Sequence, residues 1–343
     1  MAEDRDEGTR LVRIDDLRRC LALAFQRLRL VPDDAEGLGG LLVDSELRGH
    51  AGHGVAALAV LAPLYGDGTL NPRPRVRVLR ETDCALLIDG DRGCGPAAPT
   101  RAMRWCIERA RARSGIAVAT LRHWQLVVAG PYARLAAEAG LIGFACTNDV
   151  PRVAPPGGRT AVLGTNPLAY GLPSARHHPV VLDVATTVVS ALKARIAAQE
   201  GTPLPDDLLV EGGSMAPLGS PLAPHKGFGL ALFVDALAGV LSGAGFAQGV
   251  DAGAPGSFLW ALDVEAFLPR WEFLERVDAQ IDQIKDGRRV PGVDELVVPG
   301  ERGQRRYLDR TASGAVPLAP ATWQALAASC EALGAPLPAV LEG

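Results

Sequence analysis

The sequence lacks the cysteine spacing of a zinc site. Its six cysteines are scattered along 343 residues, and no two of them stand in a CxxC or another zinc-ligand spacing: Cys20, Cys84, Cys94, Cys106, Cys146 and Cys330. Scattered thiols are typical of proteins that stay in a reducing compartment. We therefore expect a cytoplasmic protein whose cysteines are not metal ligands.

The sequence also lacks an excess of basic charge and a long uncharged apolar run. With a net charge of -4 and a pI near 5.9, it offers no basic surface that would release counterions from nucleic acid. The acidic N-terminus does not resemble a signal peptide, and the apolar run over 228–240 is short and interrupted by Asp235. We therefore expect neither a nucleic-acid partner nor a membrane partner.

The patterns that are present predict a globular α/β protein. Hydrophobic residues make up 48% of the chain and charged residues 22%, and 343 residues suffice for two or more compact units. Apolar residues at three- and four-residue steps predict an amphipathic helix over 11–30 and a second one ending near Leu47. A strand over 84–90, a helix over 99–114 and a strand over 115–120 then form a βαβ-like unit.

The helical N- and C-terminal parts are expected to share one core, since neither has a full core alone. We expect residues 1–75 and 295–343 to form one discontinuous helical domain that carries a histidine-rich segment. Residues 76–294 would form the central α/β part, with a possible inserted subdomain near 125–180.

An ordinary Rossmann fingerprint is absent. Gly93-Cys94-Gly95 follows a predicted strand, but no third glycine stands at the dinucleotide spacing. Two other segments are predicted helix N-termini with groups suited to binding phosphate. Ala185-Thr186-Thr187 follows the strand that ends in Asp183 and is expected to begin a helix reaching about Glu200, while His225-Lys226-Gly227 opens an apolar helix. The first of these two segments also fits a simple helix N-cap.

The histidine-rich segment is Glu46–Val55, which holds two of the six histidines. Glycines at 49, 52 and 54 permit positive φ and remove side-chain bulk, so a ligand can approach the backbone. Imidazole suits proton transfer while a carbonyl and an alcohol interconvert. A plain glycine-rich turn with solvated or packed histidines is the alternative.

Further candidates follow the strands of the α/β part. His123 stands where a predicted strand ends, which is where ligands gather in open α/β sheets, although it could also simply pack beside Trp124. Three consecutive loops, around 147–149, 154–158 and 163–169, could converge on one site. Their candidate substrate residues are Asn148, Thr165 and Asn166.

Taken in order, these motifs resemble those of the type 2 malate/L-lactate dehydrogenases. That family also includes ureidoglycolate, sulfolactate and diketogulonate dehydrogenases and Δ1-piperideine-2-carboxylate reductases. The resemblance covers nearly the whole chain and runs through Arg48-Gly49-His50, His53-Gly54-Val55, Ile88-Asp89-Gly90, the His123 segment, 164–169, 182–187, 225–230 and 298–301.

The resemblance implies a three-layer α/β/α fold, distinct from the Rossmann fold, that binds NAD or NADP without a metal. It also implies a homodimer with the active site near the subunit interface. His53 resembles the family's general acid/base, His123 matches a histidine with a proton-transfer role in the ureidoglycolate branch, and Arg48 resembles a residue at the substrate end of the pocket. The implied cofactor contacts are Asp183, Ala185, Thr186, Thr187, His225, Lys226, Gly227, Pro299, Gly300 and Glu301.

Two departures from the family pattern bear on the substrate. Family members usually carry serine before the catalytic histidine and a carboxylate-binding arginine four residues after it, where this chain has Gly52 and Ala57. Losing a bidentate clamp should cost a 2-oxo acid a few kcal/mol of binding. We therefore expect a reductase of a C=O or C=N bond in a small polar molecule, such as a keto compound or a cyclic imine.

Two alternatives remain open at the level of sequence. One is a conventional 2-hydroxyacid dehydrogenase of the malate, lactate or ureidoglycolate type, in which Arg48 or Arg122 replaces the missing clamp. The other is a catalytically inactive relative with a binding role.

Overall fold

The computed structural model describes residues 8–124, 126–190, 208–209, 214–250 and 255–341. The helices in this part of the chain are α1 (Ile14–Arg27), α2 (Pro32–Leu47), α3 (Leu58–Gly66), α4 (Ala97–Arg109), α5 (Gly130–Glu138), α6 (Pro224–Asp235), α7 (Arg270–Lys285), α8 (Glu301–Ser313) and α9 (Pro320–Leu333). The strands are β1 (Arg10–Arg13), β2 (Arg77–Glu81), β3 (Ala85–Asp89), β4 (Ile116–Arg122), β5 (Ile142–Thr147), β6 (Leu168–Leu172), β7 (Val180–Val184), β8 (Gly256–Leu262) and β9 (Ala315–Leu318). Two 3₁₀ turns, Ala51–His53 and Val55–Ala57, connect α2 to α3.

The chain divides into two compact units, the first made of 1–74, 93–97 and 302–343 and the second of 75–92 and 98–301. Two segments differ from the expected boundaries. Residues 93–97 join the first unit, where Gly95 lies against Leu38 of α2. Residues 295–301 join the second, where Val181 of β7 donates a hydrogen bond to the Pro299 carbonyl at 3.2 Å.

The first unit is built on the α1–α2 pair. Gly39 allows a close approach of the two helices, since a Cβ at that position would lie 3.1 Å from the Leu21 Cβ. β1 pairs antiparallel with β9, and this pairing joins the N- and C-terminal segments. Cys20 of α1 and Cys330 of α9 lie with their sulfur atoms 3.5 Å apart, although 310 residues separate them in sequence.

The second unit contains a sheet of seven described strands in the order β2-β3-β4-β8-β5-β6-β7. β3 and β4 are parallel and flank α4, as the βαβ-like pattern predicts. The other neighbours pair antiparallel, so the sheet is mixed.

Helices cover both faces of this sheet. On one face, α4 and α5 pack on a core that includes Ala119 and Leu121 of β4. On the other face, α6 packs on Cys146 and Phe258, and α7 packs on Val180. Because strand residues alternate between the faces, each strand supplies both layers. The predicted three-layer α/β/α fold is confirmed.

Some elements differ from the sequence prediction. The first helix begins at Ile14, because the residues before it pair as β1. The helix expected to begin at 185–187 is not formed over 185–190, where Thr187 forms a β-bridge to Pro217 and the Val188 N–H donates to the Ala216 carbonyl at 3.1 Å. The rest of that predicted helix, 191–200, lies outside the described residues.

Candidate active site

The histidine-rich segment lies in the first unit, between α2 and α3. Gly49 takes a positive φ of 79°, which turns the chain after α2. A 2.9 Å bond from the His53 N–H to the His50 carbonyl closes the first 3₁₀ turn. His53 is exposed, and its imidazole makes no hydrogen bond or ion pair within the described residues. The ring is therefore accessible to a ligand.

Glu46 lies beneath this turn with only 4% of its surface exposed. Its Oε2 accepts a hydrogen bond from the Val55 N–H at 3.1 Å. A Cβ on Gly54 would lie 1.9 Å from the same oxygen, so only glycine fits there. Burial raises the pKa of Glu46 to about 7, because the Val55 N–H and the Arg310 charge offset it only in part.

Helix α8 packs on the same segment with several arginines. Arg48 donates to Asp44 at 3.0 Å and to Gln304 at 2.7 Å, and its guanidinium lies 4.4 Å from the centre of the Tyr307 ring. Arg310 donates to the Glu46 carbonyl at 2.6 Å, which satisfies a carbonyl at the C-terminal end of α2. The Arg48 guanidinium is thus held by protein groups, and its substrate role stays a prediction.

His123 follows β4 in the second unit and is buried. Its Nε2 lies 3.0 Å from the Ser257 hydroxyl. A Cβ on Gly90 would lie 2.5 Å from the His123 Cβ, so the strand beside it must carry glycine at that point. His123 therefore sits at the predicted strand end but in a packed position.

Asn148 is fully buried and uses its amide to join three segments. Its Nδ2 donates to Asp235 of α6 at 3.0 Å and to the Gly245 carbonyl at 2.9 Å, and its Oδ1 accepts from the Gly256 N–H at 2.8 Å. These bonds hold the end of β5 to the start of β8 and to α6.

Thr165 and Asn166 form a second buried junction. The Asn166 side chain accepts from the Asp149 N–H at 3.1 Å and donates to the Ala231 carbonyl of α6 at 2.9 Å. The Thr165 carbonyl accepts both the N–H and the hydroxyl of Thr186, at 3.0 and 2.8 Å. The structure thus brings three of the predicted residues, Thr165, Asn166 and Thr186, together in one loop cluster.

Asp183 lies at the end of β7 and meets the start of α5. Its Oδ2 accepts from the Gly130 N–H at 2.6 Å. A carboxylate at a helix N-terminus is stabilised by the orphan amides and the helix dipole. Nearby, the Thr187 hydroxyl donates to the Val189 carbonyl at 2.7 Å, and Ala185 connects the two segments.

The segment His225-Lys226-Gly227 lies in the first turn of α6, which begins at Pro224. His225 and Lys226 are exposed. Gly227 is buried, and a Cβ there would lie 2.3 Å from the Leu218 backbone nitrogen. Glycine at 227 therefore lets the loop before α6 pack onto the helix, while the two side chains before it reach solvent.

The segment 299–301 lies along β7, at the end of the sheet. Gly300 has a φ of 84°, and a Cβ there would lie 2.6 Å from the Val181 carbonyl oxygen. Glu301 accepts from Lys285 of α7 at 2.5 Å and from the Val298 N–H at 3.1 Å. Pro299, Gly300 and Glu301 thus cover the edge of β7.

The predicted site residues are divided between the two units. His53 and Arg48 belong to the first, while His123, the substrate candidates of the loops and the cofactor candidates belong to the second. Across the described ranges, no group of three or more His, Cys, Asp or Glu side chains could hold a metal ion. No helix in that same part of the chain is long and apolar enough to cross a membrane.

Comparison with known proteins decides the family. A family model described as malate/L-lactate dehydrogenase matches residues 12–327. The chain belongs to the malate/L-lactate dehydrogenase family. It is therefore an oxidoreductase, and the family implies a nicotinamide cofactor.

Individual members of the family are similar over most of the chain. The malate dehydrogenase of Pyrococcus horikoshii is 35% identical over 321 residues, which are 87% of this chain and 89% of that protein. A solved malate dehydrogenase structure from that organism has a TM-score of 0.87 at 32% identity, covering 96% of this chain and 97% of the other. The Δ1-piperideine-2-carboxylate reductase of Pseudomonas syringae has a TM-score of 0.81 at 25% identity, covering 94% of this chain and 100% of the other.

In this member of the malate/L-lactate dehydrogenase family, the start of α6 has groups that fit the phosphates of a dinucleotide. The exposed ammonium of Lys226 is suited to an anion, whereas the Lys226 and Gly227 N–H groups donate to the Ala223 and Leu218 carbonyls at 3.1 and 3.0 Å. The hydroxyls of Thr186 and Thr187 instead donate to protein carbonyls. Among the predicted phosphate contacts, Lys226 is therefore the best supported by its surroundings.

Arg48 and Arg122 are the two arginines that we expect as replacements for a carboxylate clamp, and both contact protein groups. Arg48 is held by Asp44, Gln304 and Tyr307. Arg122 donates to the Ser242 carbonyl at 2.6 Å and lies against Gly243. Both guanidinium groups thus bind protein groups within their own units.

Three buried polar residues, Glu46, Ser257 and Asp235, are not among the predicted site residues. Glu46 has a local signal, because Leu38, Leu42 and Glu46 stand at four-residue steps on the buried side of α2. Ser257 and Asp235 contact His123 and Asn148 from 134 and 87 residues away, and no short-range pattern indicates such pairs.

Proposed function

We propose that this protein is an NAD(P)H-dependent reductase that acts on a C=O or C=N bond of a small polar molecule, with His53 as the proton donor. The observation that supports the proposal is the exposed His53 imidazole, which makes no hydrogen bond or ion pair within the described residues. The backbone of its turn is held by the buried Glu46 carboxyl group. Membership of an oxidoreductase family supplies the reaction class.

The chemistry required of the protein is modest. When bound, the nicotinamide supplies the hydride. The chain must then hold the substrate and move one proton. In its protonated form, His53 donates to the oxygen or nitrogen of the reduced bond, and in the oxidative direction it accepts that proton. Exposure of the ring to solvent allows it to be reprotonated between turnovers.

The choice of substrate rests on the arginines. Position 57 is alanine, and Arg48 and Arg122 already bind protein groups. A substrate carboxylate, if present, is therefore held differently from the family norm. The C=N option is supported separately, because one structural relative is named as a piperideine-2-carboxylate reductase, whose substrate also carries a carboxylate.

A conventional 2-hydroxyacid dehydrogenase is the second candidate. The observation in its favour is the 35% identity with the malate dehydrogenase of Pyrococcus horikoshii. In that case an arginine other than Arg48 and Arg122 would bind the carboxylate, or one of these two would leave its present partners.

Supporting contacts and assembly complete the proposal. His123, Arg48, Asn148, Thr165 and Asn166 remain candidates near the substrate. Lys226 would contact the cofactor phosphates, with the other contacts from 183–187, 225–227 and 299–301.

We further propose a homodimer, because α6 and the turn after it expose large apolar side chains to solvent.

Replacing His53 tests the proton-donor role. We expect His53→Ala to lower kcat by about 100-fold or more, the usual cost of losing a general acid, and to leave the Kd for NAD(P)H nearly unchanged. The measurement is steady-state reduction of the best substrate together with cofactor titration by fluorescence.

His178→Ala is the matched control, because His178 is also exposed and lies in the second unit, outside the candidate segments. It should retain wild-type kcat. An unchanged kcat in His53→Ala would mean that His123 or water, and not His53, is the proton donor.

A further inference from the structure

The buried Glu46 carboxyl group is the chemically most unusual feature beneath the candidate segment. Carboxylates are rarely buried without a charged partner, because removing them from water is costly. Here Glu46 is 4% exposed as a residue, and its carboxyl group accepts the Val55 N–H at 3.1 Å. Such a position calls for a specific role.

The contact fixes the backbone on both sides of Gly54. A Cβ at Gly54 would lie 1.9 Å from Glu46 Oε2 and 2.9 Å from its Cδ, so the carboxyl group lies directly against the chain. Gly54 has φ −89° and ψ −152°, an extended conformation that separates the two 3₁₀ turns. Glycine at this point is therefore required by the close approach of Glu46 and not by a left-handed backbone.

His53 is the residue immediately before this junction. Its own N–H is bound to the His50 carbonyl at 2.9 Å, and the Ala57 N–H bonds to the Gly54 carbonyl at 3.0 Å. The hydrogen bond from the Val55 N–H to Glu46 Oε2 is buried and lies just after His53 in the chain. Loss of that bond would free the peptide groups that follow His53, while the ring itself would lose no partner.

The charges around Glu46 come from α8 and from its own segment. Arg310 donates to the Glu46 carbonyl at 2.6 Å, Arg306 lies against Gly49, and Arg48 lies two residues along the chain. His50 and His53 are the titratable groups of the turn itself. The carboxyl oxygen faces the Val55 amide rather than any of these side chains in a salt bridge.

We propose that Glu46 is a positioning residue for His53, whose carboxyl oxygen holds the Gly54–Val55 backbone and thereby fixes the orientation of the imidazole. This inference rests on the proposed function of His53. General acid catalysis depends on placing the proton within hydrogen-bond reach of the reacting atom, so a loosened turn lowers kcat. The acceptor oxygen matters in this role, and the negative charge does not.

Two substitutions separate the acceptor from the charge. Glu46→Gln keeps an oxygen for the Val55 N–H and should retain kcat within about two-fold, since the neutral amide has nearly the same shape. Glu46→Ala leaves that N–H buried and unsatisfied and should lower kcat by about 10-fold or more, with little change in KM for NAD(P)H. Steady-state kinetics over a range of pH gives both parameters.

The control is Glu36→Ala, an exposed glutamate on the same helix, which should behave as wild type. Gly54→Ala provides an independent route, because its methyl group must displace the carboxyl group; it should lower kcat while Glu46 is still present. Should Glu46→Ala fail to fold, Gly54→Ala and Glu46→Gln still test the proposal.

The outcomes distinguish the inference from the proposed function. Wild-type kcat in both Glu46→Ala and Gly54→Ala, together with a strong loss in His53→Ala, would overturn the inference alone. Equal losses in Glu46→Gln and Glu46→Ala would also overturn it, because the charge would then be required. An unchanged rate in His53→Ala would overturn the proposed function whatever Glu46 does.

Discussion

Glycines placed against buried polar side chains shape both histidine positions. Gly54 lies against the Glu46 carboxyl group, and Gly90 lies against the Cβ of His123. In each case a methyl group would collide with a side chain that cannot move away into solvent. The glycine content of the Glu46–Val55 segment therefore reflects close packing as well as access for a ligand.

The raised pKa of Glu46 predicts a pH dependence of stability. The folded state holds the proton up to about pH 7, whereas the unfolded carboxyl group releases it near its ordinary pKa of 4.5. The folded state therefore binds more protons between these values, so the free energy of unfolding falls as pH rises through this window. The loss is on the order of 3 kcal/mol at most.

Glu46→Gln removes this contribution because the amide does not ionise. Relative to wild type, the variant should gain stability as the pH is raised from about 5 to about 8, measured by urea unfolding at several pH values. Glu36→Gln, on the exposed side of the same helix, should follow wild type throughout. Parallel pH dependence in Glu46→Gln and wild type would show that the buried carboxyl group titrates normally.

At the scale of residues, the sequence indicates candidates but not their partners. The His53 segment is evident because histidines and glycines are concentrated there. The contacts of His123 with Ser257 and of Asn148 with Asp235 join residues far apart in the chain, and side-chain type alone does not specify them. Asn148 and Asn166 were expected to face a substrate, yet their amides also hold loops together.

At the scale of elements, the spacing of apolar residues predicts the amphipathic helices and misses the elements that have no apolar stripe. α1, α2, α4, α5 and α9 follow apolar steps that are readable in the sequence. Helix α8 has no buried residue, so no apolar stripe indicates it. β1 and β9 are four-residue strands that pair with each other, and such short segments carry little alternation.

The prediction about assembly depends on helix α6 and on the π-helical turn that follows it, Ala236–Val240. Leu230, Phe233 and Leu241 are exposed, with Phe233 57% accessible, which is unusual for large apolar side chains. A second copy of the chain would remove this surface from water. We expect sedimentation velocity to show a dimer, and Phe233→Glu to shift it toward monomer because a charge would be buried at the interface.

Trp271→Glu is the matched control, since Trp271 of α7 is an aromatic residue with a similar exposure of 66%. It should remain dimeric if the interface is formed by α6. A monomeric wild type, or a Phe233→Glu variant that sediments like wild type, would contradict the proposed assembly.

At the scale of the whole molecule, the order of motifs predicts the family and fold more firmly than the substrate. The mixed sheet with helices on both faces and the match over residues 12–327 confirm the former. Substrate choice depends on a few side chains, and Gly52 and Ala57 are among the positions where we expect this chain to depart from the family pattern. Such local changes alter specificity without altering the core.

A reductase screen tests the proposed activity and its substrate class together. NADH or NADPH oxidation is followed with cyclic imino acids beside pyruvate, oxaloacetate and glyoxylate derivatives, after thermal-shift titration establishes which cofactor binds. We predict binding of at least one cofactor and a higher kcat/KM for a substrate other than oxaloacetate or pyruvate. A preference for oxaloacetate or pyruvate, or no binding of either cofactor, would contradict it.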